Sequence, residues 1–248
     1  MTSTSERWLA FLDADVLAHP RSRSLVLFGS RHPDTRYAAR WSPQVEAEAD
    51  RALAEQDAAR QRRPEQTGGR RRPILVSALR GSPSTTDWSD WVLVPDASED
   101  AMATLVDTAP GNRHVAAAAH ACGARLIVSQ NVSDYGWQDL ERLNLVVVHP
   151  DLFLARVLTR SAYLAILESL AGHSTGDLAA PATIHASLGR THPLLTAAMH
   201  EAFPDVTPVA AEASPREVFR GYRCLVCGRR LTDPAALRTG VGPECGLA

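Results

Sequence analysis

The chain has 248 residues, is 45% hydrophobic and 22% charged, and carries a formal net charge of −2, the make-up of an ordinary globular protein rather than a uniformly basic coat for nucleic acid. That length admits one sizeable α/β domain with a small appendage. No apolar run approaches bilayer-spanning length, and the opening MTSTSERW lacks the basic region and apolar core of a secretory signal, so a cytoplasmic protein without a membrane partner is expected.

In chain order, Trp8 to Asp13 reads as a short apolar strand ending on Asp13 and Asp15. Arg21 to Ser30 reads as a helix that buries Leu25, Val26, Leu27 and Phe28. Trp41-Ser42-Pro43 is a helix start, with Ser42 as the cap and Pro43 in the first turn. That helix continues to about Arg63, and all 26 basic residues of the chain are Arg, five of them between Arg62 and Arg72. The polar stretch from 64 to 73 reads as a solvated loop.

Strands are expected at Pro73 to Ala78, Trp91 to Val94, Arg125 to Ser129 and Leu145 to Val148. Helices are expected at Ser98 to Thr108, Arg113 to Gly123, Trp137 to Leu143, Pro150 to about Leu170, Thr183 to Leu188 and His192 to Phe203. Strands alternating with helices imply a mostly parallel sheet covered on both faces. Three segments follow: an α/β domain over 1–149, a helical extension over 150–205 and, after a Pro/Ala/Glu-rich linker, a Cys-rich tail over 216–248.

In such a sheet ligands bind beyond the carboxyl ends of the strands, where Asp13 and Asp134 fall. Oxygen-rich clusters of this kind suit magnesium or manganese. Isolated strand-end Asp residues also serve as caps and turn formers.

Four segments carry a resemblance. FLDADVLAHP, WSPQVEAEADRAL, NRHVAAAAHACGARLIVSQNVSDY and VVVHPDLFL resemble, in order, the motifs of PIN-domain ribonucleases of the VapC-like toxin group, over residues 7 to about 203. The resemblance implies a three-layer α/β/α fold and a divalent-metal-dependent ribonuclease, commonly the toxin of a toxin–antitoxin pair. RNA would be the substrate and an antitoxin protein the partner, with a homodimer left open. Carried over by position, the catalytic set is Asp13, Glu48, Asn112 and Asp134, with Asp15, Asn131 and Arg113 in support. Magnesium or manganese would sit on Asp13, Glu48 and Asp134. The family has Asp where this chain has Asn112, and a neutral amide weakens both metal affinity and water activation. An attenuated scaffold that binds RNA or a protein without cleavage is therefore the alternative.

CLVCGRRLTDPAALRTGVGPECG joins a Cys-x-x-Cys-Gly turn to a third cysteine. Cys224, Cys227 and Cys245 are the expected ligands of a structural zinc, and the glycine permits the left-handed turn behind the first two. Asp233, His192, His200 or a group from another chain is the candidate fourth ligand. Cys122, on an apolar helix, reads as a small buried residue.

Overall fold

The computed structural model describes residues 7–62, 93–172, 180–211 and 217–245. Over these the chain is mixed α/β, with eleven α-helices and one five-stranded, mostly parallel sheet. Strand β1 (Trp8–Leu12) lies between β2 (Tyr37–Arg40) and β3 (Leu126–Val128), parallel to both, and β4 (Val146–Val148) runs parallel beside β3. The last strand, β5 (Phe219–Arg220), pairs antiparallel with β4, giving the order β2-β1-β3-β4-β5.

Parallel neighbours need crossovers rather than hairpins. Helices α1 (Ala14–Ala18) and α2 (Pro20–Arg31) join β1 to β2. Helices α3 (Pro43–Gln61), α4 (Glu99–Ala103) and α5 (Arg113–Ala121) lie between β2 and β3, and α6 (Trp137–Leu143) joins β3 to β4. The first two connections run in opposite directions across the sheet, and α1 of the first packs against α3 of the second. Every residue of β3 and β4 is buried, as strands covered on both sides must be.

After β4 come α7 (Pro150–Val157), α8 (Arg160–Gly172), α9 (Pro181–Leu188) and α10 (Pro193–Ala198), and α11 (Pro234–Thr239) follows β5. Asp151, fully buried, ties this helical group together. Its carboxylate accepts the free N–H groups of Leu194 and Leu195 at 3.0 and 2.9 Å, capping α10 from a distance.

Several sequence expectations shift. Strand β2 and helix α1 were not expected: YAAR lacks β-branched residues, and ADVLA is a single turn behind the Asp13 cap. The helix expected over Pro150 to Leu170 is two helices. Leu158 takes an extended conformation between them, and the Thr159 hydroxyl accepts the Ala162 N–H at 3.2 Å to start α8. The helix begun at Ser98 stops at Ala103. The strand expected at Pro73 to Ala78, the Arg-rich loop from 64 to 73 and half of Trp91 to Val94 lie outside the described residues. Leu93 and Val94 are irregular, with Val94 N–H bonded to the Trp41 carbonyl at 3.0 Å.

The Cys-rich tail does not hang free. β5 extends the main sheet, the Tyr222 ring meets Trp137 with centroids 5.1 Å apart, and Arg230 pairs with Glu141 on α6. Among the described residues no helix is long and apolar enough to cross a membrane.

Candidate functional site

The chain passes from β1 to β2 on one side and reaches β3 on the other, so the sheet's switch point lies between β1 and β3. Crevices form there, outside the carboxyl ends of the strands. Asp13 and Ser129 follow the last residues of these two strands, and Asp13 N–H bonds the Val128 carbonyl at 3.0 Å.

Asp13 is 6% exposed and N-caps α1, taking the Ala14 N–H on Oδ1 at 2.7 Å. Its Oδ2 accepts the buried Tyr135 hydroxyl at 2.7 Å. Burial raises its carboxyl above the usual range, against the lowering effect of Tyr135, Ser129, the Ala14 N–H and nearby His114. Burial also raises the Tyr135 phenol, and the Asp13 charge adds to that.

Asp15 organises the turn after β3. It accepts the Ser129 hydroxyl at 3.1 Å, the Gln130 N–H at 3.0 Å and the Asn131 side-chain amide at 3.1 Å. Burial first, then the Asp13 charge, pushes its carboxyl up to about 7, with the turn's donors pulling the other way. Two carboxyls thus share one partly dry corner, and at neutral pH the second is only partly ionised.

The remaining expected residues stand around this pair. Glu48 projects from α3 toward buried His114, whose Nε2 lies 3.1 Å from Glu48 Oε2 but off the line of a hydrogen bond. Glu46, two residues earlier, is instead buried and accepts the Trp41 indole N–H at 3.0 Å. Asn112 sits at the N-terminus of α5 and makes no capping bond with its side chain. Asp134 is exposed; its carbonyl accepts the Ala109 N–H at 2.8 Å, which knits its turn to the loop carrying Asn112. Arg113 donates through Nε to the Thr108 carbonyl at 3.1 Å, which ties it to its own loop.

Asp107 is engaged elsewhere. Its carboxylate accepts the Gln138 N–H at 3.1 Å and caps α6 in place of Gly136, where any Cβ would lie 2.2 Å from that carboxylate. Asp13, Glu48 and Asp134 do not converge. Among the described residues, the one group of three or more His, Cys, Asp or Glu side chains with all ligand atoms within 4.8 Å of one another is Cys224, Cys227 and Cys245.

Tyr135 and Ser129, which contact the two carboxyls, were not expected from the sequence. The available signal was the polar residue directly after the apolar β3 run, and an aromatic ring directly after the turn Val132–Asp134.

The cysteine trio is built as its spacing implies. Gly228 adopts φ +73°, its N–H returns to the Cys224 carbonyl at 2.9 Å, and Cys224 N–H bonds the Arg229 carbonyl at 2.9 Å. Burial pushes the Cys224 thiol up, but N–H donors of Cys227, Gly242 and Val226 outweigh it and bring it down to about 7. The trio lines a cavity of about 230 Å³ and can hold a metal ion, compatible with structural zinc.

The expected fourth ligands do not join it. Asp233 lines the cavity, yet its carboxylate caps α11 through the Ala236 N–H at 2.8 Å. His192 is 1% exposed and bonded to Ser22 and Thr191, and neither it nor His200 lines the cavity. Cys122 stands apart, its thiol donating to the Ala119 carbonyl.

Residues 215–246 match the profile of a family described as "Family of unknown function (DUF6011)". That match covers the tail alone. No curated protein and no solved structure matches the chain.

Proposed function

We propose that the α/β portion is a PIN-type, divalent-metal-dependent endoribonuclease, the toxin half of a toxin–antitoxin pair, and that the tail binds a structural zinc. The observation that carries this reading is the Asp13–Asp15 pair at the switch point between β1 and β3, where burial and then the Asp13 charge raise Asp15 to about 7. A divalent cation would offset that repulsion.

Asp13, Glu48 and Asp134 would hold magnesium or manganese, with Asn112 as a neutral donor. Their ligand atoms do not all lie within 4.8 Å of one another, so one or two of these carboxylates would bind the ion directly and the rest through its waters. When bound, such an ion neutralises phosphodiester charge and acidifies its water. The chain's own part is positional. Asp15 fixes the Ser129–Asn131 turn, Tyr135 fixes the Asp13 rotamer, and His114 backs Glu48.

Manganese-loaded protein should cleave single-stranded RNA, and Asp13→Ala should abolish cleavage. No cleavage, together with unchanged manganese binding in Asp13→Ala, rejects the reading.

A second reading rests on Tyr135 and Asn112. A hydroxyl already occupies Asp13 Oδ2, and the fourth donor is uncharged, so the scaffold would bind RNA or a protein partner without cutting. Asn112→Asp separates the two. Cleavage gained by that variant, from a silent wild type, marks an attenuated site.

A further inference from the structure

The segment matched by the tail's family profile begins before β5, so Glu217 and Arg220 belong to the cysteine module and not to the α/β portion. Arg220 reaches out of the module into the candidate site. Its Nη1 donates to the Ser133 carbonyl at 3.0 Å and to the Tyr135 carbonyl at 2.8 Å. Glu217 holds the other edge of the guanidinium, Nε to Oε1 at 3.1 Å and Nη2 to Oε2 at 2.6 Å. The guanidinium carbon stands 5.7 Å from the Trp137 ring centroid. A planar fork engaged on two edges and near an aromatic face has few other positions open to it.

The loop held in this way is the 3-10 turn Val132–Asp134 with Tyr135 behind it. It carries Asn131, Asp134 and the hydroxyl that sits on Asp13. The module is anchored on its other side as well: Arg125, at the start of β3, donates to the Cys224 carbonyl at 3.0 Å.

Within the module, the described segment has little regular structure, and its buried apolar set is small: Phe219, Leu225, Leu231, Ala236 and Val241. It has one two-residue strand, one short helix and an isolated bridge between Arg223 and Arg230. A segment that small depends on its metal for order.

We infer that metal binding at Cys224, Cys227 and Cys245 sets the conformation of the Asn131–Tyr135 loop through Arg220, making Arg220 a positioning residue for the candidate site. The direction is specific. Metal loading orders the module, the ordered module fixes Arg220 in register with Val147, and Arg220 holds two carbonyls of the loop. The importance of that loop rests on the nuclease reading, but the coupling itself does not.

The test is hydrogen–deuterium exchange on the full chain, without RNA or added manganese. Zinc-loaded protein should protect the amides of residues 131–136, and chelation should speed their exchange by about tenfold or more. Arg220→Gln, still carrying zinc, should show the same faster exchange in that loop and no change in β1 or β2. Arg220→Lys, which retains one charged donor, should recover part of the protection. Equal exchange with and without metal, or in wild type and Arg220→Gln, overturns the inference. If Arg220→Gln does not fold, the metal comparison in wild type decides alone. A loop that responds to zinc in a chain that cuts no RNA leaves this coupling standing and removes only the nuclease reading.

Discussion

The Tyr135 hydroxyl donates to Asp13 Oδ2 at 2.7 Å, a buried bond between side chains 122 positions apart. It joins the end of β1 to the loop after β3 at the point where the sheet changes direction. Removing the donor leaves a buried carboxyl oxygen short of a partner. Tyr135→Phe is expected to lower stability by about 1–3 kcal/mol in urea denaturation. A variant as stable as wild type would mean that the bond contributes nothing in solution.

Asp15 gives the metal-free protein a pH dependence of defined sign. Its folded value, about 7, lies above the ordinary 3.8 of an unfolded chain. The stability it contributes is fully present below the unfolded value and is lost as pH rises toward 7. In thermal melts at stepped pH, Asp15→Asn should be less sensitive than wild type between pH 4 and 7. A divalent cation bound to the ionised pair should restore wild-type stability at the upper end of that window.

The buried histidines act in the opposite sense. Burial, then nearby His19, brings His149 down to about 4. Burial, then His19, His149 and Arg21, brings His192 to about 3. His192 Nε2 lies 3.0 Å from the Ser22 hydroxyl and its Nδ1 2.9 Å from that of Thr191, so it sits neutral in the fold. Folded values below the ordinary 6.5 mean that the unfolded chain takes up more protons under acid. Stability from these groups is present above pH 6.5 and is lost as pH falls toward 3. His192→Gln should lose about 1–2 kcal/mol at pH 7.5 yet show a shallower fall on acidification. An unchanged acid slope in urea midpoints would refute the neutral, buried assignment.

The cysteine trio predicts a metal content of about one ion per chain by elemental analysis. Cys227→Ala should abolish it, whereas Cys122→Ser should leave it intact, because Cys122 is not part of the trio. Chelation should also perturb tryptophan fluorescence, since the Tyr222 ring lies 5.1 Å from Trp137. Full metal retention by Cys227→Ala would exclude the site as drawn.

How much of this was legible in the sequence follows from what kind of signal each feature leaves. The Trp137 helix, the capped start at Ser42 and the Val-rich β4 were readable because local propensity and burial agree there. Strand β2 was not, because Tyr37 and Ala39 are buried by the sheet rather than by their own β-propensity. The cysteine turn was readable down to Gly228, since its spacing and its backbone requirement are both local. The candidate site was legible only in part. Asp13 and Asp134 follow β1 and β3 and Glu48 lies within α3, as read from the sequence, but their separation is a tertiary quantity that no spacing encodes. The bond from Tyr135 to Asp13 and the arm of Arg220 are contacts over long sequence distances and leave no periodic trace.

Strand β4 is three consecutive valines, and the flank it does not share with β3 is met by Phe219 and Arg220. A chain cut before residue 217 would lose α11 but keep its other described helices and four parallel strands, and would present that all-apolar strand with the N–H and C=O groups of its outer flank unpaired. Such an edge recruits other strands, including copies of itself. The tail therefore also guards against self-association, and a shortened chain that precipitates would be reporting an uncovered edge, not a missing activity.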